Sequence, residues 1–336
     1  MNAATIEHTL INDLAQLIEQ GKSQVAKQVN STITLVYWQV GYKINTHLLQ
    51  NKRAEYGKLI VPTIAAQLEH KYGKGFSDKN LRRMMQFADM FSDLSIVATA
   101  SRQLSWSHFI ELIPLKNNAA QLYYVQKIGE ESWSIRETRR QIERKAYERN
   151  EIANLQLSEE LSHLHNTFKD PYLLDFLGVK DGYLENDVES AILKEIELFI
   201  LELGKGFTFV ERQKRMIIDG EDFYLDLLFY NRKLKRLVAI ELKLGKFKAS
   251  HKGQMELYLK WLNKHEKQEG ELTPIGLILC AEKSHEQVEL LEMHKDGIMV
   301  AEYWTDLPPK KELEQKLHSL MIEVKERLEN RKQLGL

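Results

Sequence analysis

Tyr224-Leu225-Asp226-Leu227-Leu228, followed by Ile240-Glu241-Leu242-Lys243 and then by Gln254-Met255-Glu256-Leu257-Tyr258, is the stretch on which the fold of this chain turns. The first two runs are apolar and rich in strand formers, yet each carries charge in its middle. The period of two along a strand puts Glu241 and Lys243 on one face and Ile240, Leu242 and Leu244 on the other. Asp219-Gly220 is a hairpin turn signal and residues 231–234 are a second turn. Residues 207–218, 223–230 and 236–243 therefore read as strands joined by hairpins, and the pairing brings Asp226 beside Glu241.

Outward from this hairpin the pattern alternates. Val188, Ile192, Ile196, Phe199 and Leu203 recur at helical steps within a helix predicted over 184–203, which stops at Gly204-Lys205-Gly206. Residues 249–263 return to helix, 274–280 and 298–303 are apolar strands with a helix near 284–294 between them, and Pro308-Pro309 precedes a charged terminal helix. This order predicts a mixed sheet with helices on its faces.

The first 150 residues hold no convincing strand. Val29, Ile33, Val36, Val40 and Ile44 make 30–49 an amphipathic helix, Ile60, Ile64, Leu68 and Tyr72 make another, and Ser77 is placed to cap a third through Leu81, Met84, Met85, Ala88 and Phe91. A further helix starts near Ser105 or Ser107, and 133–149 is a last, heavily charged one. The expected organisation is an all-α domain over 1–150, a polar linker over 151–170, and an α/β domain over 171–336, α+β overall.

The net charge of −1 over 336 residues hides an asymmetry. Residues 1–150 carry 20 Lys and Arg against 14 Asp and Glu, and residues 205–260 carry 13 against 7. Both are candidates for contact with a phosphate backbone, although solvated helix faces give the same counts. One cysteine excludes a disulfide framework or a cysteine-rich zinc site. With no membrane-length apolar run and no basic-then-apolar leader, a cytoplasmic protein without membrane partners is expected.

Two carboxylates held together among apolar residues are costly unless a cation neutralises them. Mg²⁺, or Mn²⁺, suits an all-oxygen set, and Asp226, Glu241 and the backbone carbonyl of Leu242 would supply ligands. Lys243 could then position or help deprotonate an attacking water and bond a nonbridging phosphate oxygen. Glu241-x-Lys243 alone reads as a surface ion pair. Only together with Asp226 on a neighbouring strand does the pattern point to a site.

Asp226, fourteen intervening residues, then Glu241-x-Lys243 resembles the PD-(D/E)XK phosphodiesterase superfamily. Gly204-Lys205-Gly206-Phe207, Arg212-Gln213, 222–230, 240–243 and Gly253-Gln254-Met255 resemble, more narrowly, the YhcG-like nuclease family, as do Tyr37-Trp38, Gly75-Phe76-Ser77, 104–109 and Trp133-Ser134-Ile135-Arg136. Leu225 stands where the superfamily's name has proline, a position that is not a ligand. The resemblance implies a restriction-endonuclease-like domain and metal-dependent phosphodiester hydrolysis, with DNA a better substrate than RNA, in repair, recombination or defence. It also implies that Glu189, with Glu185 a rival, adds a metal-binding acid. Gln254 would assist catalysis, with Tyr258 four residues on and on the same helix face, and Lys205, Arg212, Lys252 and Tyr258 would meet nucleic acid.

In the helical half, Asn80, Arg82, Arg83 and Gln86 carry suitable chemistry for base edges or phosphates, so a helix-turn-helix-like role is set against a packed bundle facing water or a partner. Arg136, Arg139, Arg140, Arg144, Lys145 and Arg149 form a basic run that could follow a phosphate backbone, build a dimer or face water. Trp38, Trp106, Trp133, His108 and Cys280 read as structural. Cutting two strands would favour a homodimer. A silent accessory subunit that binds nucleic acid and a protein-interaction scaffold stay open as alternatives.

Overall fold

A computed structural model describes residues 3–50, 54–155, 157, 164–178 and 185–334. The chain divides into two compact units, Met1–Ile142 and Glu143–Leu336.

The first unit is helical. Helix α1 (Ala3–Gln50) is one 48-residue element, where sequence periodicity reached back only to residue 30. The polar mixture of its first half hides the period, but that half contains no proline to stop it. Then come α2 (Ala54–Tyr72), a tight turn at Lys74–Phe76, α3 (Asp78–Met90), α4 (Leu94–Ala100), α5 (Trp106–Leu112), α6 (Asn118–Glu131) and α7 (Ile135–Glu143). Helices α1 and α3 meet backbone to backbone at Gly41, where a Cβ would lie 2.0 Å from the carbonyl oxygen of Met84. Trp38 Nε1 donates to the Phe91 carbonyl at 2.7 Å, and Asn45 donates to the Met85 carbonyl and to Asp89. His108 is structural, as expected: its Nδ1 accepts from the Ser105 backbone N–H and its Nε2 donates to the Trp133 carbonyl.

The second compact unit starts at Glu143, whereas the sequence pattern sets the domain boundary at 150. Helix α8 (Ala146–Asn154) packs with α13 (Lys310–Leu334), and Leu164 and Phe168, inside the expected linker, are buried in the sheet's core. Most of residues 156–163, including His163, lies outside the described residues, as does Leu184. The run 133–149 breaks at Lys145, whose φ is 54°. Arg144 and Arg149 do not face a ligand; both are buried. Arg149 bonds Glu202 and the Pro171 carbonyl, while Arg144 meets Asp175 at 2.8 Å and Glu202 at 3.7 Å. Lys169 joins Glu202 from a third side, at 3.8 Å.

The sheet has six strands: β1 (Tyr172–Leu173), β2 (Phe207–Ile218), β3 (Glu221–Asn231), β4 (Arg236–Lys246), β5 (Ile275–Glu282) and β6 (Ile298–Trp304), in spatial order β1-β6-β5-β4-β3-β2. The β2–β3–β4 part is antiparallel and the rest parallel. The hairpin at Asp219-Gly220 has φ of 51° and 86°, the left-handed pair its sequence calls for. The helix expected over 184–203 is two, α9 (Glu185–Lys194) and α10 (Ile196–Leu203), because Glu195 leaves helical geometry. They cover one face with Val238, Ile240 and Leu242 beneath. Helix α11 (Ser250–His265) covers the other, with Leu237 and Ala239. A short helix, α12 (His285–Leu290), precedes β6.

Candidate active site

The paired ladder of β3 and β4 runs from Asn231↔Arg236 to Leu227↔Ile240 and stops one step short of Asp226 and Glu241. Beyond it the Leu242 N–H donates to Asp226 Oδ2 at 2.8 Å, so a side chain takes the bond that a strand would have taken. The alternation of β3 breaks here too: Leu225 packs in the α11 core and Leu227 in the α9 core. A notch opens between two strands of an otherwise apolar sheet, and chemistry-bearing residues from both faces reach it.

Glu241 is buried, 4 % exposed. Its Oε1 accepts from Lys243 Nζ at 2.9 Å and Gln254 Nε2 at 3.2 Å. Gln254 also bonds the Tyr258 hydroxyl at 2.7 Å, and that hydroxyl donates to the Tyr224 carbonyl, so the glutamine–tyrosine pair on α11 is locked onto the strand. Glu189 reaches in from α9. Gln213 Nε2, on β2, bridges Glu189 Oε2 at 2.9 Å and Asp226 Oδ1 at 3.1 Å. Asp226, Glu241, Lys243, Gln254, Tyr258 and Glu189 thus converge as the sequence led one to expect; the side chain of the rival Glu185 lies outside the described residues. Gln213 was not singled out. Its only signal was a place beside Arg212 in the family-like words.

The acids crowd one another. Burial, then the neighbouring Asp226, pushes the Glu241 carboxyl up to about 7, against the pull of Lys243. Burial and Asp226 also raise Glu189, opposed by Gln213 and Arg212. Among the described residues no three such groups form a ready-made metal cage. Yet Glu189 Oε1 and Glu241 Oε2 are buried with no hydrogen-bond partner. Orphaned acceptors in a carboxylate cluster are costly, and an all-oxygen donor set left open fits a hard divalent cation that keeps waters of its own.

The other expected residues make different contacts. Lys205 and Arg212 are exposed. Lys252 does not reach outward: its ammonium is held by Asp296 at 2.7 Å, Glu256 at 3.3 Å and the Leu291 carbonyl. In the helical unit Asn80 is taken up by its own turn, donating to the Gly75 carbonyl and accepting from Trp106 Nε1. Arg82 pairs with Asp78, Arg83 is half-buried and Gln86 is exposed.

A mixed sheet with Asp226 on one strand and Glu241-x-Lys243 on the next defines a PD-(D/E)XK nuclease domain. The family model described as the YhcG PDDEXK nuclease domain matches residues 165–318, and the DUF1016 N-terminal domain matches 13–149. The Escherichia coli (strain K12) protein named "Putative nuclease YhcG" is 32% identical, over 90% of this chain and 92% of its own length. The chain belongs to this YhcG family of PD-(D/E)XK nucleases. Among solved structures, a repair endonuclease from Pyrococcus abyssi is 23% identical over 39% of this chain, with a TM-score of 0.26. An EndoMS–double-stranded DNA complex is 18% identical over 38%, with a TM-score of 0.28. The chain spans about half the length of each of these two, 50% and 49%. No described helix is long and apolar enough to cross a membrane.

Proposed function

We propose that this protein is a nuclease that uses Mg²⁺ or Mn²⁺ to hydrolyse phosphodiester bonds, with DNA as its substrate. The observation that carries the reading is the pair of buried, partnerless carboxylate oxygens, Glu189 Oε1 and Glu241 Oε2, beside Asp226 and Lys243. Asp226, Glu241, Glu189 and the Leu242 carbonyl would hold the cation. When bound, such a cation lowers the pKa of a coordinated water and offsets charge on the phosphate. Lys243 would orient the attacking water and donate to a nonbridging phosphate oxygen. Gln254, braced by Tyr258, holds Glu241 in place and contributes an N–H to the same pocket. Lys205 and Arg212, exposed on the same unit, bind the nucleic-acid backbone. In the helical unit the outward side of α3, with Lys79, Arg82 and Gln86, serves as a second contact with nucleic acid. A cytoplasmic setting belongs to the same proposal, supported by a lone cysteine, Cys280, that is buried.

The test is cleavage of linear, branched and single-stranded DNA and of RNA with Mg²⁺ or Mn²⁺, comparing wild type with Lys243→Ala and Asp226→Ala. Metal-dependent cutting lost in both variants while binding survives supports the proposal. Undiminished cutting by Asp226→Ala sinks it.

A further inference from the structure

The residue opposite Asp226 is set by a β-bulge. Strands β2 and β3 pair as Phe207↔Asn231, Thr208↔Tyr230 and Phe209↔Phe229, and that register, continued, would set Arg212 against Asp226. The register shifts between Phe209 and Glu211, leaving Val210 as the extra residue. Beyond it Arg212↔Leu227 and Lys214↔Leu225 bracket the opposition of Gln213 to Asp226. A neutral amide stands where a guanidinium would have stood.

Gln213 holds that place in an unusual backbone conformation, with φ of 45°. The other described non-glycine residues with positive φ (Ser132, Lys145, Asn166, Asp219, Lys235 and Glu292) lie in turns or at helix ends; Gln213 alone sits inside a strand. Such strain persists where surrounding contacts fix it, and it gathers at functional sites. Here it aims Nε2 at one oxygen of each of two acids, Glu189 Oε2 and Asp226 Oδ1, and leaves Glu189 Oε1 buried and unbonded. A neutral double donor can orient two carboxylates without cancelling their charge, whereas an arginine there would neutralise them and displace a cation.

We propose that Gln213 is a positioning residue for the divalent cation: it grips Glu189 Oε2 and Asp226 Oδ1, leaves Glu189 Oε1 open to the metal beside an Asp226 already fixed through Oδ2 by the Leu242 N–H, and owes its place to the bulge at Val210. This rests on the metal-dependent reading above. Hydrogen-bonded partners of metal ligands typically contribute about 10–100-fold in affinity.

The test is Mn²⁺ titration of the full-length protein by calorimetry, without nucleic acid, alongside thermal melting in chelator. Gln213→Gly accepts the positive φ freely and removes the amide, and Gln213→Met keeps the length without the donors. Both should bind Mn²⁺ about 10-fold or more weakly than wild type while melting cooperatively, and Gln213→Arg more weakly still. If the glycine variant fails to fold, the methionine variant decides. Folded variants that bind within twofold of wild type, or more tightly, overturn the inference. If wild type and Glu241→Gln alike show no Mn²⁺ binding, the metal-dependent reading falls with it. If wild type binds and only Glu241→Gln is impaired, that reading stands and the role of Gln213 alone is lost.

Discussion

Two carboxylates in the C-terminal unit are buried to nearly the same depth, Glu202 at 1 % exposure and Glu241 at 4 %, and they have opposite electrostatic fates. Burial pushes both up. Around Glu202, however, Arg149, Lys169 and Arg144 overcome the burial and hold the carboxyl at about 2. Around Glu241 the nearest strong influence after burial is another acid, Asp226, and the pull of Lys243 and of a backbone hydrogen bond at Asp226 does not overcome them, leaving it at about 7. In one cluster the protein's own cations outweigh the acid. The other has a surplus of acid and two buried carboxylate oxygens, Glu189 Oε1 and Glu241 Oε2, without hydrogen-bond partners. Burial alone does not mark a functional acid; the shortage of positive charge around it does.

Removing one member of the Glu202 cluster should have the largest effect on folding. Glu202→Ala takes the carboxylate from Arg149, Lys169 and Arg144 and from the Leu173 N–H, with Arg144 keeping Asp175, and loss of one partner from a buried ion cluster costs about 3–5 kcal/mol. Denaturant unfolding measures it, and a loss below about 1 kcal/mol would dissolve the contrast. Glu241→Gln should do the reverse. It removes charge from a crowded acid site, so the metal-free protein should unfold at the same or a higher denaturant concentration. Cleavage should fall by about 10²–10³-fold, the usual scale for one preorganised electrostatic group.

The second cluster was legible in the sequence and the first was not, for physical reasons. Asp226, Glu241 and Lys243 interrupt apolar strands at a period of two, and Gln254 and Tyr258 lie four apart on one helix, so local pattern exposes them. Arg149 and Glu202 are 53 positions apart, in segments that look like an exposed basic helix and an ordinary amphipathic one. Nothing local shows that they meet, and fully buried arginine is rare enough that the reading defaults to surface. The compact units divide at 142, just before the charges of 144–149, which in the sequence look like solvated charge. The bulge at Val210 left no turn residue to announce it, and a one-residue shift decides which side chain meets Asp226.

Stability against pH should separate the clusters by sign. Glu202 titrates at about 2 folded against an ordinary 4.5, so its contribution is complete above pH 4.5 and lost as pH falls toward 2. Glu241 titrates at about 7 folded, so its contribution is complete below pH 4.5 and lost as pH rises through 7. In chelator the wild type should therefore weaken from pH 5 to 8 by about 1–3 kcal/mol relative to Glu241→Gln. Saturating Mn²⁺ should remove that alkaline loss. Equal slopes for the two proteins would mean that Glu241 is not starved of positive charge.

The smallest effect should come from an exposed pair with two-pronged geometry. Arg215 faces Asp222 across the β2–β3 hairpin through two parallel bonds, Nε to Oδ1 at 2.9 Å and Nη2 to Oδ2 at 3.1 Å. Its two side chains are 57% and 42% exposed. Water competes for both charges and salt screens them, so the pairing should hardly register in folding. A double-mutant cycle of Arg215→Ala and Asp222→Ala should give no resolvable coupling, and less still in 1 M salt, while the loss from Glu202→Ala persists at high salt. If the exposed pair instead coupled as strongly as Glu202 does, geometry would outrank burial in this sheet. The low titration of Glu202 would then owe more to the hydrogen bonds it accepts than to the absence of water around it.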